Sequence, residues 1–140
     1  MPTQVQKPFP LATVGALVVG PSAKVLIVKT TKWRGSWGVP GGKIDWGEPL
    51  EDALRRELYE EVGLQLGQIR FALLQEAVCD PQFYRDAHFI LINYFATSGD
   101  ESVIPNEEID EWVWVTPQTA LEYPLNTYTR ILIEHYIDQR

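Results

Sequence analysis

Apolar and polar positions follow two rhythms along this chain. Leu11–Val19 and residues 24–29 are short runs rich in β-branched residues, separated by Gly20-Pro21-Ser22, which predicts two strands joined by a turn. Residues 30–35 form a polar loop carrying Trp33 and Arg34, and 37–39 read as a short strand leading into Pro40-Gly41-Gly42. After Pro49 the rhythm changes. Leu54, Leu58 and Val62 recur at helical spacing, so a helix is expected from the Pro49 turn to about Val62, stopped at Gly63. Residues 69–79 and 87–97 predict strands, connected by 80–86, and an acidic loop follows over 98–110. Glu111–Val115 alternates around Trp112 and Trp114 as a strand does, 117–121 is a short helical turn, and Thr127–Asp138 is an amphipathic helix with Asn126 as its cap. The Pro-spaced residues 1–10 are expected to be extended. Strands, helix, strands, helix in that order imply an α/β fold, a mixed sheet covered by helices.

Composition narrows the class. A chain of 140 residues, 45% hydrophobic and 22% charged, is of a size for one domain, 1–140, with a real core. The single cysteine, Cys79, rules out an intramolecular disulfide and a cysteine-rich zinc cluster, and points to a reducing compartment, the cytoplasm. No apolar run is long enough for a membrane span, and the N-terminus MPTQVQKPFP lacks the apolar stretch of a signal peptide. A net charge of −7 disfavours a grip on a nucleic-acid polymer. It leaves room for a small phosphorylated ligand, because a bound divalent cation reverses the local field.

The chemistry concentrates in residues 42–64, GKIDWGEPLEDALRRELYEEVGL. At about 100° per residue, Glu57, Glu60 and Glu61 share one helical stripe about 100° wide, while Leu54, Leu58 and Val62 form the adjacent, core-facing stripe. Glu57 and Glu61 are like charges at i,i+4 and repel, and Glu60 and Glu61 lie toward the negative end of the helix dipole. A hard divalent cation with oxygen ligands is the natural counter-charge, and magnesium commonly joins carboxylates to substrate phosphates. Before the helix, Pro40-Gly41-Gly42 lets a backbone carbonyl approach a metal, and Arg56 has the planar fork to orient a neighbouring carboxylate. For any one of these glutamates a solvated acidic helix face is the plainer reading; for the whole pattern it is not.

Gly42, Glu48, Arg56, Glu57, Leu58, Glu60, Glu61, Gly63 and Leu64 fill every defining position of a motif that resembles the Nudix box of the MutT-like hydrolases. Its flanks, Gly38-Val39-Pro40-Gly41-Gly42 and Glu111-Trp112-Val113-Trp114-Val115, are similar to that family as well. The resemblance implies a Nudix-type α/β/α sandwich and hydrolysis of a diphosphate bond in a nucleoside diphosphate derivative, with Mg2+ or Mn2+. It also implies roles: Glu57, Glu60, Glu61 and the Gly41 carbonyl as metal ligands, Glu57 or Glu60 helping to deprotonate water, Arg56 orienting Glu57, and Glu48 bracing the loop. One further ligand is expected from the acidic loop, Glu107 or Glu108, with Glu108 preferred.

The substrate is less clearly marked. Trp33 and Arg34 are the candidate substrate-binding pair, an aromatic beside a cation in a polar loop, whereas Trp37 is expected in the core. A (d)NTP or other small nucleotide is the leading substrate. Pro81, 17 residues past Leu64, is close to the spacing that marks ADP-ribose hydrolysis in the family, so an ADP-ribose or nucleotide-sugar diphosphatase is the alternative. An inactive nucleotide-binding regulator is the rival of another class. A homodimer is expected to be possible through edge pairing of the N-terminal segment or the late strands.

Overall fold

Leu11–Val19 (β1) becomes the centre of the sheet because it is apolar on both faces, as a strand covered on both sides must be. The computed structural model describes residues 9–139, so the extended character expected for 1–8 lies outside the described residues. The other strands are Val25–Lys29 (β2), Trp37–Gly38 (β3), Gly41–Lys43 (β4), Leu66–Val78 (β5), His88–Ser98 (β6) and Glu111–Val115 (β7). The helices are Leu50–Val62 (α1), Pro117–Ala120 (α2) and Thr127–Asp138 (α3), with a 3-10 turn at Thr31–Trp33. Along the sheet the order is β3-β2-β1-β6-β5, with β4 also paired to β1 and β7 to β2. The β1–β6 pair is parallel and the remaining ladders are antiparallel, which makes the sheet mixed, as expected.

Period-two alternation divides the core into two layers. Val14, Ala16 and Val18 of β1 face α1 and pack with its Leu54, Leu58 and Val62. Leu17 of β1, with Val25, Ile27 and Phe95, faces α3 and packs with Leu132 and Ile133. Burying each of the three α1 side chains contributes about 2 kcal/mol, and together they fix how far α1 is rotated about its axis. The result is the α/β/α sandwich. Among the described residues no helix is long and apolar enough to cross a membrane.

Two boundaries differ from the sequence reading. The segment expected as a bare loop at Pro40-Gly41-Gly42 continues as a strand, pairing Gly41 with Gly15, Gly42 with Val14 and Lys43 with Thr13. Glycine is what permits this, since a Cβ at Gly41 would run into the Val14 carbonyl and the Gly15 backbone. β5 starts three residues earlier than the alternation indicates, at Leu66, because register shifts at Leu66/Ile69 and Phe71/Leu73 break the period.

Candidate active site

The glutamate stripe lies on α1 because the helix is held at both ends. Pro49 precedes its first turn, and Gly63 ends it with a left-handed φ of 70° and an N–H donated to the Tyr59 carbonyl at 3.0 Å. The carbonyls of Glu61 and Val62, which have no partner inside the helix, accept from the N–H groups of Asn106 and Ile104, each at 2.9 Å. The acidic loop is therefore laced onto the C-terminal turn of α1. Asn106 then accepts the Glu108 N–H on Oδ1 at 2.9 Å, Ile109 is buried in the α1 core, and Glu108 is brought to the same cavity as Glu57 and Glu61.

The three stripe glutamates have different surroundings. Glu61 is 8% exposed, and its Oε1 accepts the Gly41 N–H at 3.1 Å. Burial pushes its carboxyl up to about 8; the Gly41 N–H opposes the rise, Glu108 and Glu57 add to it, and Lys32 opposes it. Glu57 lies against Gly42, where a Cβ would overlap its carboxylate. Its pKa is also raised by burial, against the lowering effect of Arg56. Glu60 is exposed, bonds to Arg56 at 3.1 Å and does not line the cavity.

Arg56 ties the loop to the helix. Its fork holds Glu48 through Nε at 2.7 Å and Nη2 at 2.8 Å, and it also reaches the Lys43 carbonyl at 3.1 Å and Glu57 at 3.2 Å. This hydrogen bonding holds Glu48 down at about 2. Glu48 in turn accepts the Asp45 N–H at 3.0 Å, closing the loop before α1. Arg56 thus contacts both the brace and the carboxylate that the sequence pairs it with.

Glu57 and Glu61 open onto a cavity of about 360 Å³. Glu57, Glu61, Gly41 and Gly42 line one end, and Lys32 and Glu108, joined at 2.5 Å, line it as well. Four aromatic side chains, Trp33, Phe83, Phe89 and Tyr128, line it too, with Trp33 4.9 Å from Phe83 and Phe83 4.8 Å from Phe89 between ring centroids. The 80–86 loop carries Phe83 there. It is pinned by Tyr128, whose hydroxyl donates to Asp80 at 2.5 Å, and by Gln82, which bonds to Asp80 and Thr127. Burial, reinforced by Asp80, pushes the Tyr128 phenol up to about 12. Two amides, Asn93 and Asn126, also line the cavity, among threonine and aliphatic side chains.

Several sequence candidates are placed elsewhere. Trp33 lines the cavity, but Arg34 does not: its Nε donates to the carbonyls of Pro81 at 2.8 Å and Phe83 at 3.2 Å, so it anchors the loop that carries Phe83. Glu107 is exposed and lies outside the cavity lining. Trp37 is in the core, 5.1 Å from Tyr123, and Trp46 is fully exposed. Lys32, Phe83, Phe89, Asn93 and Tyr128 were not legible as site residues. Lys32 alone had a signal, since it adjoins Trp33 in the same polar loop. Asn126 was readable as a helix cap, and it is one, accepting the Thr129 N–H at 2.9 Å on Oδ1 while also lining the cavity.

Among the described residues no three carboxylate, imidazole or thiolate groups converge as a ready cation cage. The donor chemistry nevertheless suits a hard divalent ion. Two mostly buried carboxylates face one cavity beside the two glycines of β4, and both have raised pKa values that a cation would lower.

Carboxylates on a core-anchored helix, set against a glycine strand of a mixed sheet, define the Nudix class of hydrolase site. The NUDIX domain family matches residues 10–136, and the chain belongs to that family. It is 35% identical over 103 residues to the nucleoside triphosphatase NudI of Escherichia fergusonii, covering 69% of this chain and 72% of that protein. The Escherichia coli K12 NudI is 33% identical over 108 residues, with the same coverage. Among solved structures, a MutT NUDIX hydrolase from Burkholderia pseudomallei superposes with a TM-score of 0.76 at 28% identity, over 91% of this chain and 98% of that one. The NUDIX domain of Shewanella oneidensis NrtR, solved with ADP ribose, superposes with a TM-score of 0.79 at 24% identity, over 95% and 90%, a likeness of fold. Nudix hydrolases generally use divalent metals and act on small nucleotide substrates.

Proposed function

We propose that this protein hydrolyses the diphosphate bond of a (d)NTP or similar small nucleotide, with Mg2+ or Mn2+ as cofactor. The reading rests on one observation: Glu57 and Glu61 open onto the same cavity as the aromatic side chains of Trp33, Phe83, Phe89 and Tyr128. The Gly41 carbonyl, Glu57 and Glu61 would hold the metal, with Glu108 as the ligand from the loop and Glu60 entering from the exposed side of the helix. When bound, the cation polarises phosphoryl oxygens and acidifies water. Glu57 takes the proton from the attacking water, whose oxygen bonds to phosphorus in line as the bridging P–O bond breaks. Arg56 holds Glu57 in place for that transfer, and Glu48 holds Arg56. Lys32 supplies positive charge at the cavity wall, and Trp33 stacks the base.

The names of the NudI relatives favour a triphosphate. The ADP-ribose alternative stands on Pro81, whose carbonyl the Arg34 anchor already engages. A substrate panel of nucleoside triphosphates, ADP-ribose and nucleotide sugars, with magnesium at alkaline pH, tests the proposal. Release of a nucleoside monophosphate is expected. A folded protein that turns over none of them, yet binds nucleotide tightly, would instead be the inactive regulator. We also propose that residues 1–140 act as one domain in the cytoplasm, without a nucleic-acid polymer or membrane as partner. Sedimentation will decide the homodimer.

A further inference from the structure

Asn93 is 7% exposed on β6 and lines the cavity. It stands in a cross-strand row with Gly15 of β1 and Gly41 of β4, two strands from the glycine that meets Glu61. Gly15 has no side chain, and a Cβ there would lie 3.9 Å from Asn93 Nδ2.

A relay dictates which end of the Asn93 amide faces the cavity. Gln75 on β5 donates through Nε2 to the Tyr128 backbone carbonyl at 2.9 Å and to Asn93 Oδ1 at 3.0 Å. A backbone carbonyl only accepts, so the Gln75 nitrogen must lie against it. The Asn93 atom facing that nitrogen must then be oxygen, which turns Nδ2 away from Gln75. Among the described residues no group accepts a hydrogen bond from Nδ2, and no fully buried side-chain nitrogen or oxygen lacks a partner, so Nδ2 is open to the cavity and free to meet a ligand there.

We propose that Asn93 is a specificity-determining residue, that its Nδ2 donates to a carbonyl oxygen on the substrate's base, and that Gln75 is the residue that positions it. Building on the nucleotide-hydrolase reading, this selects bases that carry a keto group where their counterparts carry an exocyclic amine: thymine or uracil over cytosine, guanine over adenine. An amine at that position would set donor against donor. A site built to donate one hydrogen bond rejects such an analogue by about 10- to 100-fold.

The test compares kcat/KM of the full chain and its Asn93→Asp and Gln75→Met variants on dTTP against dCTP and on dGTP against dATP, with saturating magnesium. The wild type is expected to favour the keto member of at least one pair by about tenfold or more. Asn93→Asp keeps an oxygen for Gln75 and turns an acceptor to the cavity, so the ratio should invert. Gln75→Met frees the amide to rotate, so the ratio should move toward one without a matching loss of thermal stability. An equal ratio in the wild type and Asn93→Asp, or, if that variant does not fold, an unchanged ratio in Gln75→Met, overturns the inference. Absence of wild-type turnover on every nucleotide sinks the hydrolase reading, and this inference with it.

Discussion

Glu61 Oε1 and the Gly41 backbone N–H meet at 3.1 Å across twenty positions of sequence, joining α1 to the glycine strand beside it. The hydrogen bond favours the ionised carboxylate, yet burial prevails and the carboxyl is pushed up from 4.5 to about 8. Between those values the folded, metal-free chain keeps a proton that the unfolded chain has released. Stability of the metal-free protein is therefore expected to fall as pH rises from about 5 to 8, by up to about 1.4 kcal/mol per pH unit from this group. In the proposed metal site magnesium takes the place of the proton, so the melting temperature at pH 8 should rise with added magnesium far more than at pH 5. Calorimetry at both pH values, with and without EDTA, checks this, and Glu61→Gln should flatten the metal-free slope.

The different exposures of the three glutamates predict unequal losses. Glu57→Gln and Glu61→Gln each remove charge from the buried end of the cavity and are expected to cost about 100-fold or more in kcat, as loss of a preorganised electrostatic group does. Glu60→Gln alters a carboxylate at the solvent side of Arg56 and should cost clearly less. Circular dichroism should show all three folded. Equal losses for Glu60→Gln and Glu57→Gln would remove the distinction drawn between them.

Arg56→Lys keeps the positive charge and loses the fork. One ammonium cannot serve two Glu48 oxygens, the Lys43 carbonyl and Glu57 together. A drop of about 10- to 100-fold in metal affinity or activity is expected, the range for removing a group that orients a ligand. Titration of magnesium against activity separates weaker metal binding from slower chemistry.

Gly42→Ala places a methyl group where the Glu57 carboxylate lies. Glu57 has to swing away, so activity should fall at least tenfold, in the range for a misplaced catalytic group. The alanine is far smaller than the core side chains and faces the cavity, so the melting temperature should change by only a few degrees. Loss of fold in parallel with loss of activity would show that Gly42 matters for the sheet instead.

Most of the frame was readable in advance for identifiable reasons. The β1 and β2 runs and the α1 stripe have clean periods, and Pro49, Gly63 and Asn126 are local boundary signals with local causes. The strand at Gly41–Lys43 was hidden because two glycines carry no periodicity, and β5 was shortened by its bulges. At the site, residues 42–64 are contiguous, so the helix and brace could be assembled from sequence spacing alone. The cavity wall could not. Phe83, Asn93 and Tyr128 come from a loop, a strand and a helix that only the tertiary fold brings together. Arg34 reads as a substrate contact in one dimension and proves to be a loop anchor in three.

The proposed cleavage machinery and the cavity wall draw on largely separate parts of the chain. Glu57, Glu61, Arg56 and Glu48 belong to α1 and the loop before it, whereas Phe83, Phe89, Asn93 and Tyr128 belong to the 80–86 loop, β6 and α3. A substitution in the second set has no contact with Arg56 to disturb. On the proposed assignment of roles, the choice of nucleotide can therefore drift, narrow or be redesigned over successive generations of sequence while the bond-breaking apparatus is inherited unchanged.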